Sequence, residues 1–255
     1  MASVAELIDL AESLPLRQLE KLLRVAQALA EGIETTVAAD SDLLSSAFVN
    51  DFSDSLLVYH ATHTQRLTKK AFEFAFRDAS EAAGREATIT SNQVNPGADV
   101  LVDGVKYSLK TEGAQGISSL TVTISKLMEA AWIRDCVTGE DFAREASRRI
   151  AEHLGSYDRI LVLRSFAEIG GDVRYDLVEI PVAVLLNVRG LSAADFKPRS
   201  GRGSTSAVVV LDGAAAFTLT LDGSVEKVTI RNLRLDLCQV HGTWRIRPPA
   251  RASRP

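Results

Sequence analysis

Cysteine is scarce: the chain of 255 residues holds two. Cys136 and Cys238 are too few and too far apart for a disulfide framework or a zinc site, so buried free thiols are expected. Long apolar runs are missing as well. No stretch reaches the roughly eighteen residues that a membrane helix needs, and the N-terminus lacks the basic, apolar and small-residue order of a signal peptide. These absences point to a soluble, cytoplasmic protein without membrane contact. Compositional extremes are also absent: 46% hydrophobic and 24% charged residues are ordinary for a globular domain.

A basic excess is lacking too, since the formal net charge is −4. The distribution matters more than the sum. From Lys227 to the end there are seven basic residues (Lys227, Arg231, Arg234, Arg245, Arg247, Arg251 and Arg254) against one acid, Asp236. The remainder carries 22 basic against 32 acidic residues. A compact basic end on an acidic body fits a local phosphate-binding surface. Arg251 and Arg254, beyond Pro248 and Pro249, read instead as a solvated flexible tail.

What is present is organised around residues 95–112. Asp103-Gly104 is a strong two-residue turn signal, because a type I′ turn needs φ > 0 at both central positions. A hairpin closed there sets Val102 opposite Val105 and, counting outward, Asp99 opposite Ser108. Side chains alternate along a strand, so Ser108, Lys110 and Glu112 share one face, which Asp99 joins across the ladder. An acid and a lysine eleven residues apart are thereby brought within one side chain's reach. Such a pair suits phosphodiester hydrolysis, with a carboxylate holding a divalent metal and a lysine orienting the nucleophile or stabilising the transition state.

The arrangement resembles the PD-(D/E)xK nuclease core, whose best-known members are type II restriction endonucleases. Pro96 stands near the expected proline, Asp99 is the first acid, and Ser108-Leu109-Lys110 occupies the (D/E)-x-K position. Ser108 departs from the pattern, because a serine hydroxyl is a poor metal ligand where the family has its second acid. A nuclease then needs a carboxylate from elsewhere. Family members often supply one from the helix before the hairpin, and the segment from Lys70 to Phe76 looks like that helix. Glu73 is therefore the first candidate, ahead of Glu81 and Glu112; Glu112 has the right face but lies one pleat beyond the lysine. The alternative for Glu73 is an i,i+4 pair with Arg77 on a solvated face.

The rest of the chain is read around this core. Residues 3–32 form two short amphipathic helices broken at Pro15 and ended at Gly32, able to pack on the domain or make a dimer contact. Residues 34–66 read as irregular, with a short apolar run from Leu56 to Tyr59; His60 and His63 there are expected in a loop or core rather than as metal ligands. Thr68 caps a helix whose buried stripe is Phe72, Ala75, Phe76, Ala79 and Ala83, with Gly84 ending it. Glu86 to Thr90 reads as a strand. After a polar loop at 113–116, residues 118–124 alternate as a strand, and Ser125 is expected to cap a helix with Ile124, Leu127, Met128, Ala131 and Trp132 on one face. Lys126 would open that helix against the macrodipole, either as a phosphate contact or as a solvated lysine. A helix over 140–154, buried strands over 159–166 and 173–180, and a short helix after Pro181 follow. Beyond a basic Gly/Ser-rich loop over 197–206, which lacks the spacing of a P-loop, the alternating runs 207–211, 217–221, 225–230, 233–240 and 243–246 predict a β-rich region.

The predicted fold is α/β (α+β): a mixed central sheet flanked by helices, with a β-rich C-terminal subregion and N-terminal helices. The division is an N-terminal helical region (1–66), a nuclease core (67–190), a β-rich recognition region (191–247) and the tail (248–255). The resemblance covers about residues 67–180, and the stretch from Leu56 to Lys126 is similar to the ApaLI-like group of restriction enzymes. It implies a Mg²⁺-dependent homodimer that cleaves double-stranded DNA at a short palindromic site. Asp99, Glu73 and the Leu109 carbonyl would hold the metal, Lys110 would position the nucleophile, and Ser108 would bond a metal water or Lys110. Gln115 and Lys126 are candidates for the DNA backbone, and Arg199, Arg202, Arg231 and Arg234 for base edges. Two alternatives stay open: a structure-selective or repair nuclease of the same fold, and a non-catalytic DNA- or protein-binding module in which Asp99 and Lys110 form an ordinary surface ion pair.

Overall fold

A computed structural model describes residues 3–90, 97–168, 170–198, 201 and 203–247. Its chain order begins with two helices, α1 (Val4–Ser13) and α2 (Leu16–Glu31), separated at Pro15 and followed by Gly32 at φ 73°. An edge strand, β1 (Glu34–Val37), and a long helix, α3 (Ser46–Thr62), come next. Helix α4 (Lys69–Ala82) leads into β2 (Ala87–Ile89) and the hairpin of β3 (Val100–Val102) and β4 (Val105–Glu112). Then follow β5 (Thr121–Glu129), α5 (Gly139–Leu154), β6 (Arg159–Ala167), β7 (Val173–Ile180) and the short α6 (Val182–Leu185). Four strands close the chain: β8 (Ser204–Leu211), β9 (Ala214–Asp222), β10 (Lys227–Arg234) and β11 (Gln239–Ile246).

The strands form two sheets. Seven make a mixed sheet in the order β1-β11-β7-β6-β4-β3-β2, and four make an antiparallel sheet in the order β5-β10-β9-β8. Among the pairings, β4 with β6 is parallel, with Lys110 opposite Val162, and the others are antiparallel. The mixed central sheet flanked by helices, with a β-rich region towards the C-terminus, is the architecture that the sequence predicts. Strand β11 returns to the central sheet beside β7, while β5 crosses to pair with β10.

Strand β6 is buried on both faces, as its unbroken apolar centre requires. Leu161 and Leu163 pack with Tyr107, Leu109, Leu177 and Trp244 beneath α3 and α4. Ile160 and Val162 face the opposite way, towards α5 and the inner side of the second sheet. Phe48 and Phe52 of α3 stack edge-on against Phe76, Phe72 and Trp244, with 5.0 Å between the Phe52 and Trp244 rings. Aromatic edge contacts of this kind contribute about 0.5–1.5 kcal/mol each beyond the area they bury.

Two expectations fail. Residues 34–66 are not irregular, because β1 and the 17-residue α3 occupy them. The helix carries Phe48, Phe52, Leu56 and His60 at i,i+4 spacing, but Asn50, Asp51, Ser53, Asp54 and Ser55 interrupt the apolar pattern. Its N-cap bond, from the Phe48 N–H to Ser45 Oγ at 3.3 Å, was available to sequence reasoning. Residues 125–129, expected as helix, continue β5. The helical look of Ile124, Leu127 and Met128 comes from register shifts: Ile124 faces Ile230 and Met128 faces Val228, so extra residues bulge from β5 and break the period of two. His60 lies in the core, as expected, with Nε2 2.8 Å from the Tyr175 hydroxyl. No described helix is long and apolar enough to cross a membrane.

Candidate active site

The hairpin turns as its sequence dictates. Asp103 and Gly104 adopt φ values of 49° and 80°, and Val102 stands opposite Val105. The β3–β4 ladder ends at Val100 opposite Tyr107, with the Asp99 N–H donating to the Tyr107 carbonyl at 2.7 Å. Beyond that point no described strand pairs β4 on this edge, while β6 pairs its other edge. The Asp99 side chain takes the place of the departed strand: the Leu109 N–H donates to Asp99 Oδ2 at 2.7 Å. The N–H and C=O of one strand residue point to the same edge, so the Leu109 carbonyl lies on this open edge as well.

Helix α4 brings the second acid. Its N-cap, Thr68, accepts a bond from the Ala71 N–H, and Glu73 follows one turn on, 7% exposed. Lys69 Nζ lies 2.7 Å from Asp99 Oδ1 and 3.4 Å from Glu73 Oε1, and Lys70 Nζ lies 3.0 Å from Glu73 Oε2. Burial acts to lower the Lys69 pKa, but the bond to Asp99 and the charge of Glu73 outweigh it and raise it. A positive charge thus sits between two carboxylates from different elements. Carboxylate oxygens are the donors that hard divalent cations take.

Lys110 completes the group. It shares the Ser108 face of β4 and forms no ion pair among the described residues. Burial lowers its ammonium pKa below the usual lysine range, with Lys69 and Lys126 acting in the same direction and Asp99 and Glu73 opposing. Two residues on the α5 side feel these charges, His153 that of Lys110 and Tyr157 that of Asp99. His153 Nε2–H donates to the Leu127 carbonyl at 3.0 Å, and the Tyr157 hydroxyl is buried without a hydrogen-bond partner among the described residues.

Lys69 and the Leu109 N–H join Asp99, Glu73 and Leu109, the charges of Asp99 and Glu73 act on Lys110, and Ser108 is buried on the Lys110 face of β4. The competing acids are engaged elsewhere. Glu112 accepts from buried Arg164 Nε at 2.6 Å and from the Thr123 N–H, and half-exposed Glu81 lies 3.9 Å from Arg77. Gln115 lines the cleft that opens beyond the end of β4, where Arg66 holds the Ala114 carbonyl at 2.9 Å. Gly113 starts that loop, and a Cβ there would stand 2.6 Å from Ser165 Oγ. Arg231 lines the adjoining cleft with Thr123 and Asn232. Lys126 pairs with Glu129, and Arg234 with Asp236. Arg199, Arg202, Pro96, Arg251 and Arg254 lie outside the described residues. Much of the basic C-terminal excess is neutralised in space: Arg245 meets Glu34 and Glu168, and Arg247 meets Asp172.

A second acidic group was invisible in the sequence. Ligand atoms of Asp42, Glu179 and His241 lie within 4.8 Å of one another. Each already has a fixed partner. Arg159 donates to Glu179 from Nε at 3.0 Å and to Asp42 from Nη1 at 3.0 Å, while His241 Nε2 lies 2.9 Å from Glu179 and Nδ1 lies 3.0 Å from Ser41 Oγ. The guanidinium occupies the place a metal would take. Lys69 was also missed, yet it left a signal: Lys69 and Lys70 stand in the first turn of α4, where cations oppose the macrodipole unless acids offset them.

Comparisons with known proteins identify the family. A family model described as SmaI, type II site-specific deoxyribonuclease, matches residues 10–246. The type II restriction enzyme SmaI of Serratia marcescens is 35% identical over 237 residues, covering 89% of this chain and 91% of that protein. No solved structure matches. With 237 of its residues inside one family match, the chain belongs to the SmaI family of type II site-specific deoxyribonucleases, restriction endonucleases that hydrolyse double-stranded DNA.

Proposed function

We propose that this endonuclease works through a PD-(D/E)xK-type centre built from Asp99, Glu73, Ser108 and Lys110, with magnesium as its divalent metal. The observation that carries the proposal is the Lys69 ammonium held between Asp99 and Glu73. Asp99, Glu73 and the Leu109 carbonyl would hold the ion, and Glu73 from α4 stands in for the acid that Ser108 replaces. When bound, magnesium supplies Lewis-acid polarisation of the phosphate and a more acidic water. The chain's own work is positional and electrostatic. The Leu109 N–H holds the Asp99 carboxylate through Oδ2. Lys110, partly desolvated, presents its charge to the attacking oxygen and to the developing negative charge on phosphorus. Ser108 supports that ammonium or a metal-bound water from behind.

In this reading residues 67–190 form the nuclease core and 191–247 contribute DNA recognition, with 1–66 as a helical region. An ApaLI-like arrangement of Leu56 to Lys126 belongs to the same proposal. Arg231, exposed and without an ion pair among the described residues, and Gln115 face the DNA beside the site; Lys126, Arg234, Arg199 and Arg202 complete the candidate contacts. The enzyme acts in the cytoplasm as a homodimer whose two-fold axis matches a short palindromic site. Digestion of plasmid DNA with Mg²⁺ tests the proposal. Discrete fragments from the wild type that vanish with Lys110→Ala are expected. Cleavage by Lys110→Ala at the wild-type rate would remove Lys110 from the centre, and a smear would remove sequence specificity.

A further inference from the structure

Four residues other than glycine have φ > 0 among the described residues: Asp103, Asp212, Glu226 and Asn232. The first three stand in the connections between β3 and β4, β8 and β9, and β9 and β10, where a tight reversal uses such backbone. Asn232, at φ 52°, lies inside strand β10. A residue with a Cβ is uncommon in that region, and inside a strand it needs a local cause.

The cause is a bulge. Ile230 stands opposite Ile124 and Leu233 opposite Val122, so two residues of β10, Arg231 and Asn232, face the single residue Thr123 of β5. Strict alternation would turn Asn232 into the core and Leu233 outward. Instead Ile230 and Leu233 are both fully buried, while Arg231 and Asn232 are both exposed. The extra residue sets a guanidinium and an amide side by side on one face.

That face adjoins the proposed centre. The Thr123 N–H donates to Glu112 Oε1 at 2.9 Å, and Glu112 follows Lys110 by one pleat on the same face of β4. Asn232 lines both the cleft at the end of β4, with Thr111 and Gln115, and the adjoining cleft, with Lys227 and Arg231. Neither Lys227 nor Arg231 has an ion pair among the described residues, and the acid in the wall, Glu112, is already held by Arg164. The clefts therefore offer uncompensated positive charge to an anion. The Asn232 amide, without a hydrogen bond among the described residues, is common to both.

Phosphate oxygens only accept hydrogen bonds, so arginine or lysine satisfies them. An amide both donates and accepts. That capacity matches the mixed donor and acceptor pattern of base edges in the major groove, which admits a two-stranded β-ribbon such as β5 with β10. We infer that Asn232 is a specificity-determining residue, placed by the bulge to read a base edge near the cleaved phosphate. The inference rests on the DNA backbone meeting the Lys110 face of β4, as proposed above. Glycine would meet the backbone demand at this position and leave no amide; the side chain is what asparagine adds.

Asn232→Gly separates the backbone from the side chain, since glycine adopts φ > 0 freely. A pool of randomised duplexes is bound to full-length Lys110→Ala protein with Mg²⁺, and the retained duplexes are sequenced, with and without Asn232→Gly. Lys110→Ala alone should enrich one motif. Adding Asn232→Gly should lower the preference at one base pair and its palindromic mate by about tenfold or more, leaving the rest of the motif in place. Asp212→Gly, a similar exchange at a turn of φ 51° outside both clefts, should leave the whole motif unchanged. Thermal melts must show the variants folded. If Asn232→Gly does not fold, Asn232→Asp replaces it; that side chain keeps the shape but cannot donate when ionised, and should lose the same preference. An unchanged motif from a folded Asn232 variant, a loss spread evenly over all positions, or the absence of any motif overturns the inference. If Lys110→Ala protein still cuts, the ends of its products carry the motif, so failure of the Lys110 assignment is read apart from failure at Asn232.

Discussion

Two acidic clusters share the central sheet, and they are built on opposite principles. Around Asp42, Glu179 and His241 the protein supplies its own cation, a guanidinium that meets two carboxylates through its fork of donors. Burial works to raise the Glu179 pKa, but hydrogen bonds from His241 and Arg159 prevail and lower it. Around Asp99 and Glu73 the cation is Lys69, a flexible ammonium whose side chain is 42% exposed. A bidentate arginine held between strands locks its carboxylates. A lysine on the first turn of a helix can swing aside and leave two oxygens for another cation. By geometry alone the first cluster is the tighter set of ligands; by what already holds them, the second is the one that can open.

The largest effect separating the two concerns the reaction. Lys110→Ala should lower cleavage on the order of a thousandfold, because it removes the group aimed at developing charge, and should leave the thermal midpoint close to that of the wild type. A loss of activity that follows a loss of folding would instead place Lys110 among the structural lysines.

A third carboxylate sharpens the contrast from the stability side. Glu112 lies on the Lys110 face of β4 but is bonded to Arg164, which is fully buried. Arg164→Ala leaves that acid uncompensated and should cost about 3–5 kcal/mol in denaturant unfolding. A cost below about 1 kcal/mol would mean that Glu112 is free to serve the site.

Acid provides a smaller lever outside both clusters. Burial lowers the His60 pKa to about 4, below its value in the unfolded chain of about 6.5. Between those values the unfolded state binds the extra proton, so stability is complete above about pH 6.5 and falls as pH drops towards 4. The contribution is roughly 3 kcal/mol at most. His60→Gln should flatten this part of the stability–pH curve; an unchanged slope would assign the acid sensitivity to other groups. Smallest of all, Arg231→Ala should weaken DNA binding by about 1–3 kcal/mol, or, if the contact is a phosphate, reduce the salt slope by about one. Fluorescence anisotropy at several salt concentrations distinguishes the two, and no change in either removes Arg231 from the interface.

How much of this was legible beforehand follows from the range of each interaction. The Asp103-Gly104 turn is local, so the register that brings Asp99 to Leu109 could be counted from the sequence. Glu73 was reachable because α4 has a clean cap and stripe. The Asp42, Glu179 and His241 group was not, since it depends on β11 returning across the sheet to lie beside β7. Strand β5 was misread because its bulges mimic helical spacing. Helix α3 was lost because serine and aspartate residues dilute a pattern that its phenylalanines and Ser45 cap still carry.

The most direct test sets one carboxylate from each cluster side by side. Asp99→Ala and Glu179→Gln would be compared for Mg²⁺-dependent cleavage of the same plasmid, with thermal melts of both. Asp99→Ala should fold and not cut, while Glu179→Gln should lose about 1–3 kcal/mol of stability with its pairing and still cut to discrete fragments. Cleavage by Asp99→Ala with none from a folded Glu179→Gln would contradict this and move the metal centre to Asp42, Glu179 and His241.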